Sequence, residues 1–304
     1  MELVNCVRKT SLTLRILEGM LVTLLLASCS GNGSKEQQKS KDADADTSSL
    51  ILKYDNTLFA VPSPYQASTI LKKNNIPFND ELSNPANKVQ GYNSSFKRGI
   101  NLGIYGTDLS YYNIYDRSQE CVTYFGSVKK LCDELGISSS FDTNFFAKVE
   151  KNISIKDSLQ YLMSYTYRNA DLYLKQDDRS DVGALVLAGG WIESLYILTQ
   201  IASKTQNRDI INRIGEQKHP LDNLIDILSP HYYVSPEYSK LVDDLVDLAY
   251  EFDGIIYNYY YKPPKIDVDN KLITINSESQ VVLSGYHLEV ITNKIAAIRN
   301  KAVQ

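Results

Sequence analysis

The stretch Val182–Ala202, VGALVLAGGWIESLYILTQIA, limits what this chain can fold into more than any other. Its apolar residues run all round a helix rather than along one stripe, and its single formal charge is Glu193. Such a helix is either buried in protein on every side or lies in a bilayer. A carboxylate near mid-bilayer is costly. We therefore expect the central helix of a helical core, capped by Asp181. Ala184 and Ala188 share a face with Gly189 and Gly190 beside them, and small residues at that spacing admit a second helix closely. Two mid-helix glycines cost roughly 1 kcal/mol each against alanine, so close packing must offset them. Glu193, once buried, needs a partner.

The flanking sequence supplies amphipathic helices. Ser118–Leu135 carries Cys121, Phe125, Val128, Leu131, Cys132 and Leu135 at helical spacing, with Gly136 as the stop. Asp142 opens a further helix, and Ile155, Leu159, Leu162, Met163, Thr166, Ala170 and Tyr173 line another. Leu221–Leu228 follows Pro220, and Ser235-Pro236 starts a long stripe from Tyr238 to Tyr259. The stripes of 118–135, 155–174 and 238–259 are the expected chief partners of the central helix. Leu288, Ile291, Ile295 and Ile298 give a last helix. Upstream, Leu50–Tyr54 and Leu58–Val61 read as extended, and Ser63-Pro64 starts a short helix through Lys73. Leu272–Ile275 and Gln280–Leu283 are β-branched runs about a polar turn, which predicts a small hairpin resting on the helices. The expected fold is mainly α: an irregular multi-helix bundle around 182–202, with a β-hairpin near 272–283.

Chemistry-bearing motifs are sparse. There is no HExxH, GxSxG or Walker A pattern, and Gly99, Gly103 and Gly106 are spaced for helix contact rather than for a phosphate loop. No catalytic residue, metal site or cofactor is assigned. The net charge of −4 gives no support to nucleic-acid binding, which wants a basic face. Tyr105, Asp108, Tyr111 and Tyr112 form the densest polar–aromatic group in the first half. With Glu193 they are the candidate binding residues. The competing reading is that Asp108 caps or pairs within the core while the tyrosines pack. Asp243, Asp247 and Glu251 line up four apart opposite an apolar stripe and read as a solvated face rather than a cation site. Asp177, Asp178 and Asp181 sit in a polar turn that lacks the glycine and terminal glutamate of a calcium loop. Cys121 and Cys132 lie eleven apart on one helix, so they cannot bridge each other and should be free buried thiols.

The N-terminus is an address. Arg8, Lys9 and Arg15 precede the short apolar run Met20–Ala27, which ends in Leu26-Ala27-Ser28-Cys29. This resembles the lipobox of bacterial lipoproteins: an aliphatic residue, two small residues, then a cysteine that is acylated and becomes residue one. The resemblance implies a signal peptide over 1–28, lipid on Cys29, and the membrane as partner through that lipid. Ser30 stands where an aspartate would resemble an inner-membrane retention signal, which favours the outer membrane. Residues 29–49 have no aliphatic side chain larger than alanine and are expected to be a disordered tether, leaving 50–304 as one helical domain. With its Tyr/Asn/Lys-rich helical body, the chain resembles uncharacterised lipoproteins of the Bacteroidota. The resulting expectation is a non-catalytic binding or envelope-assembly component, facing the periplasm or the cell exterior. The alternative is an envelope hydrolase with dispersed active-site residues.

Overall fold

A computed structural model describes residues 49–54, 57–62, 64–140, 144–152 and 179–304. The signal peptide, Cys29, the tether up to Ser48, the helix start at Asp142, the stripe Ile155–Tyr173 and Asp177–Asp178 lie outside the described residues. Within them the protein is mainly helical, with a small β region near the C-terminus.

β1 (Ser49–Tyr54) and β2 (Thr57–Pro62) are extended, as the two apolar runs suggested, and they pair as an antiparallel hairpin that the sequence reading had not proposed. α1 (Pro64–Lys73) begins on its proline, whose missing N–H would have had no helical partner there. Two short 3-10 turns then lead to α2 (Ser95–Ile114), whose N-cap Ser94 accepts a hydrogen bond from the Lys97 N–H. α3 (Ser118–Glu134) carries both cysteines, and the chain leaves it through Gly136 at φ 77°, a left-handed conformation that glycine adopts without strain. α4 is Phe145–Asn152.

α5 (Ser180–Thr205) is the central helix. It is long and apolar enough to cross a membrane, yet its most apolar window is 83% buried inside the protein. One hydrophobic cluster lies on either side of it, and α5 contributes to both. Its start corrects one expectation. Asp181 is inside the first turn rather than at the cap, and its carboxylate accepts a hydrogen bond from the Tyr238 hydroxyl at 3.2 Å. Trp191, in mid-helix, is buried with its indole N–H donating to Gln217 at 3.2 Å.

Among the described residues the chief partner of α5 is α2, with the C-terminal helix next; the sequence had favoured 118–135, 155–174 and 238–259, of which 155–174 lies outside the described residues. Glycine decides this. A Cβ on Gly103 would lie 2.0 Å from the Val186 carbonyl oxygen, and one on Gly189 would lie 1.9 Å from that of Ile100. The two backbones thus touch where neither residue has a side chain, and Thr107 donates across the seam to the Gly190 carbonyl at 3.1 Å. This close packing offsets the weak helix propensity of the glycines.

α6 (Arg208–Gly215) was not anticipated, although Asn207 caps it through Oδ1 and Ile210, Ile211 and Ile214 are buried along it. α7 (Lys218–Leu228) starts before Pro220 and takes it into the first turn. α8 (Pro236–Asp253) ends at Gly254, earlier than the stripe to Tyr259 suggested. The run IIYNYY that follows is β-branched and aromatic, and it forms β3 (Ile256–Tyr260) instead. α9 (Gly285–Ala302) closes the chain, with Ser284 accepting from the His287 N–H.

The strands between α8 and α9 lie where the sequence placed them but pair differently. β5 (Leu272–Thr274) pairs with β4 (Lys265–Asp267), and β6 (Glu278–Val282) pairs with β3. Together they make one long two-stranded arm, turning at Val268–Lys271 rather than at residues 276–279. Nor does the arm rest on the helices along its length. Ile255, Val281 and Leu283 at its base are buried, whereas every residue from 259 to 275 is exposed.

Candidate functional site: a buried carboxyl pair and its arginine

The contact between α2 and α5 carries two acids into the centre of the protein. Asp108 follows Gly103 on α2, Glu193 follows Gly189 and Gly190 on α5, and both are 0% exposed. α9 supplies the cation. Arg299, 7% exposed, grips Glu193 with two parallel hydrogen bonds, Nε to Oε2 and Nη2 to Oε1, each 2.9 Å. This fork matches the carboxylate plane and is the strongest neutralisation a protein offers a buried acid. The guanidinium carbon also lies 4.7 Å over the Tyr196 ring, which desolvates the remaining face favourably.

Asp108 has no cation of its own. Its Oδ2 accepts the backbone N–H of Asn84 at 3.1 Å, and its Oδ1 has no hydrogen-bond partner among the described residues. The two carboxyls are within hydrogen-bonding reach of each other. Burial first, and the Glu193 charge second, push the Asp108 carboxyl well above the usual carboxylate range. Of the two acids, Asp108 is the one whose surroundings favour the neutral form more strongly, because Glu193 has the Arg299 guanidinium on both of its oxygens. Burial also raises the Glu193 carboxyl, against the pull of Arg299. Burial disfavours the Arg299 charge as well, but the Glu193 carboxylate outweighs it and the guanidinium pKa rises. The group thus sets one bidentate ion pair beside a second buried acid, with Asp108 Oδ1 and Asn84 Oδ1 lacking hydrogen-bond partners among the described residues.

A second layer surrounds it. Asn84, itself buried, donates to Tyr92 at 2.9 Å and to Asn101 at 3.4 Å, and Asn101 donates to the Ala302 carbonyl at 2.8 Å near the end of α9. The tyrosines face the irregular segment that precedes α2. Tyr105 donates to the Pro85 carbonyl at 2.9 Å, Tyr111 to that of Asn79 at 3.2 Å, and Tyr115 to that of Ile76 at 2.7 Å. The hydroxyls of Tyr112 and Tyr124 meet Ser83 Oγ at 2.8 and 3.0 Å, and Tyr124 also donates to the Asn84 carbonyl at 3.0 Å. A non-helical segment buried against a core exposes backbone polar groups that no ladder satisfies. Here tyrosines reach those groups through an apolar ring, which is why a serine or asparagine would not serve. Burial pushes the Tyr111 hydroxyl up to about 12 and raises those of Tyr105 and Tyr124, so all remain neutral donors.

The structure thus gathers Asp108, Glu193, Tyr105, Tyr111 and Tyr112 into one buried region, with hydroxyls and carboxyls turned to other groups of the chain. Arg299, Asn84, Asn101, Tyr92 and Tyr124 complete it and were not singled out in the sequence. Only Arg299 carried a signal: it lies four residues beyond Ile295 at the edge of the last apolar stripe, and Glu193 demanded a cation.

The other candidates lie elsewhere. Asp244 pairs with Lys301 at 2.7 Å, and Lys294 bridges Asp247 and Glu251 at 2.9 and 2.8 Å. Asp243 accepts from the Tyr232 hydroxyl at 3.1 Å. Apart from Asp243, the acidic face of α8 is therefore matched by lysines of α9 rather than left to solvent alone. Among the described residues no three acid, histidine or cysteine side chains converge as a metal ion would need. Cys121 and Cys132 are free and buried, and burial pushes both thiols up to about 12, so neither is a nucleophile at neutral pH. No known protein family matches the chain, and neither a characterised protein nor a solved structure shows significant similarity to it.

Proposed function

We propose that this is a lipid-anchored protein of the cell envelope, tethered through Cys29, most naturally in the outer membrane, and that it works by binding or assembly rather than by catalysis. The observation that carries the binding reading is the contrast between interior and arm. The acids and tyrosines gathered at the α2–α5 contact are buried among groups of their own chain. The large apolar side chains left in water gather on the β arm: Tyr259, Tyr260, Tyr261, Ile266, Val268, Leu272, Ile273 and Ile275. Exposed apolar side chains in one contiguous element mark interaction surfaces more often than scattered ones do. The anchoring part rests on the lipobox-like sequence LASC at 26–29.

Two measurements test the reading. Cys29→Ala should abolish incorporation of labelled palmitate and move the full-length protein from the membrane to the soluble fraction. Equal labelling of the variant would remove the anchor from the proposal. Trypsin should cut the purified full-length protein after Lys265 and Lys271, both in the exposed arm. In permeabilised envelopes the same bonds should be cut several-fold more slowly if the arm is covered. Equal rates in the two preparations would remove the arm as the binding element.

A further inference from the structure

The outer half of the arm is an unusual object. A two-stranded ribbon is marginal in water and needs a third strand or a packed face for stability. Here Lys265–Asp267 and Leu272–Thr274 are exposed at all six positions, so neither face of the ribbon is packed. Ile266 and Ile273 stand opposite each other in the register, 67% and 64% exposed. Both outer edges also present backbone N–H and C=O groups that no strand among the described residues pairs, the usual template for strand addition.

The side chains of β4 say what could add there. The strand reads Lys-Ile-Asp, with opposite charges flanking an isoleucine. In an antiparallel pair with its own copy, centred on Ile266, each Lys265 faces the other chain's Asp267, and the two Ile266 side chains meet on the axis. Lys265 has no hydrogen-bond or ion-pair partner within its own chain among the described residues, so it is a cation without a mate. The arm as a whole is balanced: Lys262, Lys265 and Lys271 against Asp267, Asp269 and Glu278, with Lys262 and Glu278 already paired across the strands. A balanced arm has no net attraction for an anionic bilayer, and the acids Asp267 and Asp269 at its tip count against insertion.

We propose that the arm binds the arm of a second copy of this chain, β4 against β4, antiparallel about a two-fold axis through Ile266. The product is a four-stranded sheet in the order β5–β4–β4–β5. It places Ile273, Ile266, Ile266 and Ile273 side by side on one face, and on the other it sets two Lys265–Asp267 pairs across the new seam. The interface is isologous, as closed dimers require. Pro263 and Pro264 lie just before β4 and end the ladder, which keeps the pairing short and the dimer reversible. The proposal rests on the arm being the binding element and names its partner.

The test uses the full-length lipoprotein in detergent. With Ile266→Cys, mild oxidation should give a disulfide-linked homodimer. Tyr233→Cys, at a position 94% exposed outside the arm, should give at least roughly tenfold less if collision alone is at work. In the Ile266→Cys background, Lys265→Glu sets like charges opposite each other twice and should cut the linked fraction roughly tenfold. A chain carrying Asp267→Lys should be similarly deficient alone. Mixed in equal amounts, the two should recover cross-linking as heterodimers, distinguishable by a size tag. Because the Lys265 side chain has no hydrogen-bond or ion-pair partner among the described residues, an unchanged linked fraction in Lys265→Glu overturns the proposal. So does equal linkage at positions 233 and 266. Cross-linking of position 266 to a different envelope protein, with no homodimer, overturns self-pairing while leaving the arm a binding surface. Unprotected trypsin sites together with no cross-link to any protein reject both readings.

Discussion

Three side chains from three helices settle the interior. Glu193 alone would be an untenable buried charge, and Arg299 alone likewise, so each is tolerable only with the other in place. Removing one partner of a buried pair usually costs about 3–5 kcal/mol because the remaining charge stays desolvated. We expect Glu193→Gln to lower stability by about that amount, read from urea denaturation of the purified protein. Asp108 behaves differently because burial and the neighbouring Glu193 charge favour its neutral form. Its carboxyl binds a proton in the folded state over a pH range where the unfolded chain has already lost it. Stability must therefore fall as pH rises from the unfolded carboxylate pKa of about 4 towards the raised folded value. Asp108→Asn keeps the shape, an acceptor for the Asn84 N–H and a donor towards Glu193, but has no proton to lose. Its melting temperature should equal or exceed that of the parent at neutral pH and should lack this decline. A variant whose melting temperature follows the same pH course as the parent would show that Asp108 is not the group that holds this proton.

At the scale of elements, the pairing of α2 with α5 depends on two backbones that approach without side chains between them. Gly103→Ala puts a methyl 2.0 Å from the Val186 carbonyl oxygen, and no flexible side chain there can give way. The helices must part, and with them Asp108 and Glu193. We expect a loss of about 3 kcal/mol, the upper end for overpacking. Gly126→Ala on α3 is the control: nothing lies within 4 Å of its Cβ position, so better helix propensity should leave stability unchanged or raise it by up to about 1 kcal/mol. Thermal melts of the two variants should therefore move in opposite directions or, at the least, differ by several degrees. The tyrosines on α2 and at its C-cap act on a second element. By holding the carbonyls of Ile76, Asn79 and Pro85, they make an irregular segment part of the core without giving it regular structure.

For the whole molecule, the helical body and the arm should be separable in stability. Replacing residues 259–279 by an Asn-Gly turn keeps Ile255, Val281 and Leu283 at the base and discards chain that is exposed except at the half-buried Asn276 and Ser277. The melting temperature should change little, within the roughly 0.5 kcal/mol typical of surface changes. A large drop would mean that the arm supports the body through contacts absent from this structure. The sequence by itself determined that the core is helical, that 182–202 is its centre, that Cys121 and Cys132 are not bridged to each other, and that Glu193 needs a partner. These follow from periodicity, rise per residue and desolvation, all of which act within one element. Only the tertiary structure decided that, among the described residues, α2 rather than 118–135 or 238–259 is the main partner of α5, because glycine contact depends on two distant backbones matching in three dimensions. The same holds for Arg299, which lies 106 positions from Glu193. The strands near the C-terminus make the point most sharply: their β character was legible residue by residue, but β6 found β3 and β5 found β4, because strand pairing is a choice among segments that no local pattern makes.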